Sequence, residues 1–188
     1  MSSIKLTADS GGGTFEIKAP SSSGNTRVLT LPDTGNLTLG GPYGKILQVV
    51  IAQTATQAST TSSTFAEITT DLRATIVPTS ATSKIIVDVS LYFSSNAQTA
   101  SVRILKDGST MVSGASTSGP YDGDGTSYYA SNNMSDFNRT VFETAGNTNS
   151  RYYSPFWRTN SGPVYLNRYQ SSVSYLGTSS IRVMEVAA

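Results

Sequence analysis

Apolar and polar residues alternate in short runs along this chain, and nowhere do apolar positions recur at helical spacing for more than a turn or two. The run 83–95, SKIIVDVSLYFSS, shows the pattern most clearly. Ile86 or Ile85, then Val87, Val89, Leu91 and Phe93, alternate against Asp88, Ser90 and Tyr92, as in a strand with one buried face. ILQVVIAQTAT from Ile46 is a β-branched apolar run and reads as the first strand of the larger part of the chain. TFAEITTDLRATIVP reads as strand, turn at TTD and strand, stopped by Pro78. ASVRILKDGSTMVSG predicts a hairpin, because Asp107-Gly108 supplies the positive φ of a tight turn. NRTVFETAG, RYYSPFWRTN, PVYLNRYQ and SSIRVMEVAA complete the series. With turn signals roughly every 8 to 12 residues, the predicted fold is all-β, an antiparallel sandwich of jelly-roll type.

The first 40 residues read differently. SIKLTA, TFEIKAP, RVLTLPD and GNLTL are separated by the turn-forming stretches DSGGG, SSSGN and TG. Each run offers only two apolar side chains: Ile4 and Leu6, Phe15 and Ile17, Val28 or Leu29 with Leu31, Leu37 and Leu39. That is too little for a core, so the segment must bury its apolar pairs on something else. GGPYGK is the linker, and the expected division is an N-terminal attachment or trimerisation segment, 1–42, and a β-sandwich head, 43–188. Within the first segment Leu29, Leu31, Leu37 and Leu39 are the expected docking positions.

Composition narrows the chemistry. Of 188 residues 37% are hydrophobic and only 13% charged, with 13 basic and 12 acidic side chains. A net charge of +1 offers no basic stripe for phosphates, so nucleic acid is not an expected partner. The absence of any stretch of about 18 apolar residues argues against membrane insertion, and MSSIKLTADSGGG lacks the apolar core of a signal peptide. With no histidine and no cysteine, histidine bases, Ser/His/Asp triads, thiolate nucleophiles and the usual zinc sites are excluded. Paired carboxylates from Asp122, Asp124, Asp136, Glu143 and Glu185 remain, but most acids lie in turns such as LPDTG and KDGS. YDGDGTS has oxygen ligands at a spacing a calcium ion could use but no following glutamate, so it reads as turn chemistry, with no metal or cofactor expected.

The tyrosines form two groups. Tyr121, Tyr128 and Tyr129 lie in the long glycine-rich stretch 115–135, and together with Asp122 and Asp124 they form the expected receptor-contact loop, since aromatic rings stack on sugar C–H faces. The second group surrounds Trp157 in SPFWRTNSGPVYLNRY. There TNSG reads as a turn, and the flanks as a hairpin with Phe156 or Trp157 opposite Tyr165 or Leu166, scaffold more than site. Arg158 and Arg168 are left to pair with acids of a neighbouring copy or to reach solvent.

IKLTADSGGGTFEIKAPSSSGNTRVLTLPDTGNLTL, above all LTLPDTGNL, resembles the attachment segment of tail-fibre and appendage proteins of tailed bacteriophages, notably marine and cyanobacterial ones. GKILQVV, TFAEIT, IVPTSATSKIIVDVSLYFS, WRTNSGPVYLNR and SIRVMEVA extend the resemblance over nearly the whole chain. It implies a non-enzymatic, homotrimeric virion protein. The N-terminal segment would engage other virion proteins, and the head would contact host surface glycans. A capsid decoration or head-fibre protein remains the alternative, with a glycan depolymerase behind it.

Overall fold

The computed structural model describes residues 3–7, 14–18, 24, 44–95, 100–112, 123, 125–127, 134–169 and 172–188. The chain forms two compact units, Met1–Leu39 and Gly40–Ala188. In the first, β1 (Ser3–Thr7) and β2 (Thr14–Lys18) pair antiparallel, with Ile4 opposite Ile17 and Leu6 opposite Phe15. The four apolar positions therefore share one face of a two-stranded ribbon.

The second unit is an antiparallel sandwich. Its strands are β3 (Ile46–Thr54), β4 (Ala58–Thr60), β5 (Ala66–Glu67), β6 (Ala74–Ile76), β7 (Lys84–Ser95), β8 (Ala100–Lys106), β9 (Thr110–Met111), β10 (Gly125–Ser127), β11 (Met134–Thr144), β12 (Arg151–Thr159), β13 (Val164–Leu166), β14 (Arg168–Tyr169), β15 (Ser172–Leu176) and β16 (Ser179–Val186). Among the described residues the helical content is one 3-10 turn, Thr70–Leu72, capped where the Thr69 hydroxyl accepts from the Asp71 amide.

The spine of one sheet is β7. Along one edge β11 pairs with it from end to end; along the other β16 pairs first and β13 takes over, with β3 outside β16 and β4 outside β13. The other sheet centres on β12, flanked by β8 on one side and by β5 and β6 on the other, while β9 and β10 line the far edge of β8. The alternation in β7 decides which isoleucine faces inward: Ile85, Val87, Val89, Leu91 and Phe93 are buried and Ile86 is not. Val102, Ile104, Tyr153 and Trp157 meet them from the opposite sheet, and each large apolar side chain so buried contributes roughly 1.5 to 3 kcal/mol. The Trp157 ring stacks on Phe93 across the sandwich, with centroids 5.8 Å apart.

Pro155 lies in β12, the middle of its sheet, where a missing N–H ordinarily breaks a ladder. Its carbonyl accepts from the Ile68 amide, so the side of β12 lacking a donor faces the interruption between β5 and β6, where residues 68–73 leave the ladder. The Asp107-Gly108 hairpin forms as the sequence predicts, with φ of 51° and 70°.

The predicted hairpin around TNSG does not form. β12 and β13 belong to different sheets, and Trp157 lies opposite Val102 and Ala66 instead of Tyr165 or Leu166. The Thr159 amide donates to Ser62, the Thr159 hydroxyl reaches the carbonyls of Ser161 and Gly162, and Gly162 takes a φ of 73° before Pro163. These bonds turn the chain out of one sheet and into the other. Past β13, Asn167 (φ 56°) is fully buried: its amide nitrogen donates to the carbonyls of Thr54 and Thr56, and its oxygen accepts from the Ser179 hydroxyl.

Candidate functional site

The two outer faces of the sandwich differ in chemistry. On the β7 sheet, register places residues of β3, β16, β7 and β11 in rows perpendicular to the strands. One row is Val49, Met184, Ile86 and Phe142. Val49 is 48% and Phe142 74% exposed, so apolar side chains cross the sheet from edge to edge in contact with solvent. The next row is Ile51, Arg182, Asp88 and Thr140, with Ile51 63% exposed, and the next is Gln53, Ser180, Ser90 and Asn138. Ile46 and Leu47 extend the exposed apolar surface along β3.

Asp88 organises the mixed row. It accepts from the Thr140 hydroxyl at 2.7 Å and from the Arg182 guanidinium at 2.7 and 3.1 Å. Burial opposes its charge, but Thr140 and Arg182 outweigh that and hold the carboxyl below the usual carboxylate range. A shallow groove of about 460 Å³ runs beside it, with Ile51, Asn138 and Arg139 among its walls.

β3 lies at the edge of this sheet, with β16 on one side. Natural edge strands are guarded by charge, proline or bulges against pairing with other chains. ILQVVIAQT carries neither charge nor proline; its register against β16 slips once, at the Ile46 end, and beyond the slip Val49 and Ile51 stand exposed.

On the outer face of the other sheet, the guanidinium carbons of Arg103 and Arg158 lie 4.0 and 5.0 Å from the ring centre of Phe65, and Arg73 lies 4.6 Å from that of Tyr152 while holding Glu67 through two nitrogens. Arg168 lies 4.5 Å from the ring centre of Tyr165. The two arginines of SPFWRTNSGPVYLNRY are thus half-buried against aromatic rings of their own chain.

Two of the carboxylates considered for catalysis, Glu143 and Glu185, flank Ile85 on neighbouring strands. Glu143 accepts from the Tyr153 hydroxyl at 2.5 Å and from Lys106 Nζ at 2.7 Å, and so bonds its own sheet to the other one. Glu185 has no solvent exposure; it accepts from Gln48 Nε2 at 2.6 Å, from the amide and hydroxyl of Thr79 at 2.8 Å and from the Ser80 amide at 3.3 Å. Burial alone would raise its pKa, but this set of donors brings it down to about 2. Both carboxylates are committed to structural bonds. Asp136 is exposed on β11, opposite Tyr92. Among the described residues no cluster of three metal-ligating side chains occurs.

The expected receptor-contact residues Tyr121, Asp122, Asp124, Tyr128 and Tyr129, and the docking positions Leu29, Leu31, Leu37 and Leu39, lie outside the described residues. Of the stretch 115–135, Gly123, β10 and the first two residues of β11 are described: β10 pairs with β8, and a Cβ at Gly123 would come within 2.5 Å of the Val102 carbonyl oxygen.

The outer apolar row was legible in principle. ILQVVIAQT and SIRVMEV are apolar on both alternating sets of positions, which an antiparallel strand with one solvated face does not require. Compared with the models of known protein families and with curated proteins, the chain matches none.

Proposed function

We propose that this chain is a virion structural protein of a tailed phage, a homotrimeric tail fibre or short appendage with no catalytic role. The carrying observation is the β1–β2 ribbon. Two strands of five residues, with two apolar positions each on one face, are by themselves marginal in water, and an assembly that covered that face would stabilise them. The resemblance of LTLPDTGNL and its surroundings to phage attachment segments supports the same reading, with other virion proteins as partners of the N-terminal unit and host surface glycans as targets of the head.

Particle incorporation tests this. Phage assembled with Phe15→Asp and Ile17→Asp chains should lack the protein, whereas wild-type chains label one fixed position on the particle. Equal incorporation of the variant would overturn the anchoring role. No label on any particle would overturn the virion reading altogether.

A further inference from the structure

We infer that the outer face of β3, β16, β7 and β11 is the surface through which copies of this chain meet, an inference that rests on the homo-oligomeric reading above. Two features converge there. The row Val49, Met184, Ile86, Phe142 puts apolar side chains across the full width of the sheet, with Ile51 beside it. A contiguous exposed apolar surface of that kind on a folded unit marks an interaction surface. Past the register slip at its Ile46 end, the edge strand β3 lacks the charges and prolines by which a solvent-facing edge is protected.

The adjoining row identifies the occupant. It holds one cation and one anion, Arg182 and Asp88, next to each other on neighbouring strands, so the face is neutral and its own electrostatic complement. Repeating it about a symmetry axis alternates guanidinium and carboxylate without accumulating either sign, whereas an acidic or basic partner would find only half a match. The size also suits. At about 4.8 Å per strand and 3.3 Å per residue, four strands and about nine residues cover roughly 500 to 600 Å² in plan, comparable to the ~800 Å² of accessible surface each partner gives to a standard interface.

The strand directions allow closure as well. β3, β16, β7 and β11 alternate in direction, so the two edges of this sheet run antiparallel to each other. Successive copies can therefore lie edge beside edge in the antiparallel sense that the sheet itself uses.

The test uses the full chain. Wild-type protein in light scattering should give about three times the 19.8 kDa chain mass, and Val49→Lys with Phe142→Lys should give the single-chain mass with an unchanged far-ultraviolet spectrum. A variant that keeps the wild-type mass overturns this interface while leaving the oligomer intact; a wild-type monomer overturns the oligomeric reading itself. A second measurement does not depend on the lysine variants folding. The chain has no cysteine, so Ile51→Cys and Ser109→Cys each carry one thiol, and in the oligomer the first should react with a maleimide about tenfold more slowly than the second. Equal rates overturn the inference. Equal rates in the isolated oligomer with protection only in intact particles also overturn it, and assign the face to another virion protein; protection appearing only on addition of host polysaccharide does the same and assigns it to glycan.

Discussion

Glu185 and Thr79 are joined twice, since Oε1 of the buried carboxylate accepts from both the amide and the hydroxyl of Thr79 at 2.8 Å. The carboxylate stands at the end of β16, and through it the segment after β6 is fastened to the other sheet. Its pKa, about 2 against an ordinary 4.5, makes this a pH-dependent fastening. A depressed carboxyl contributes stability that is fully present above the unfolded value and lost as pH falls through the folded one. Stability should therefore decline between about pH 4.5 and pH 2, by on the order of 3 kcal/mol from this group. Urea midpoints across that range should show the decline in wild-type protein, and Glu185→Gln, weaker at neutral pH, should show much less of it.

Tyr153 and Glu143 make the corresponding bond across the sandwich. Burial, reinforced by the neighbouring Glu143 carboxylate, pushes the Tyr153 phenol well above its usual range. In a spectrophotometric titration, the phenolate signal at pH 11 should therefore be lower in the folded wild-type protein than after denaturation, and Tyr153→Phe should reduce that difference by the contribution of one tyrosine. The same substitution leaves a half-buried carboxylate short of a donor and should cost about 1 to 3 kcal/mol in denaturant unfolding.

Trp157 is scaffold. Its ring, 2% exposed and stacked on Phe93, fills the space between the sheets, so Trp157→Ala should destabilise the Gly40–Ala188 unit by about 3 to 5 kcal/mol. A thermal melt reads this directly. An unchanged melting temperature would show that the ring does not sustain the core.

How much of this was legible in the sequence depends on whether the information was local. β7 could be read from five alternating apolar residues, and the Asp107-Gly108 turn from its dipeptide, because period and turn chemistry are properties of adjacent residues. The partner of β12 could not. TNSG has the composition of a hairpin turn, and what sends β13 into the other sheet is a set of bonds to Ser62, Ser161 and Gly162, the first nearly a hundred positions away. The site was missed for a related reason: Val49, Met184, Ile86 and Phe142 come from four separate runs, and only the register aligns them. Each run by itself read as a contribution to the core. Arg158 and Arg168 were similarly open, because the rings they cover are Phe65, just before β5 and far away in sequence, and Tyr165 on β13, past the crossing between sheets.

Asn167 offers the sharpest separation of backbone from side-chain effects. At φ 56° it occupies a left-handed conformation that asparagine tolerates and alanine does not favour, and its amide group also satisfies two carbonyls of the β3–β4 connection and the Ser179 hydroxyl. Asn167→Gly keeps the backbone conformation and removes the three bonds; Asn167→Ala removes the bonds and adds backbone strain. Both should destabilise, because the Thr54 and Thr56 carbonyls and Ser179 lose partners where the Asn167 side chain is buried. Alanine should exceed glycine by about 1 kcal/mol, the usual cost of a left-handed residue with a Cβ. Paired urea unfolding curves measure the difference, and equal stabilities would mean that the side-chain bonds alone hold this turn.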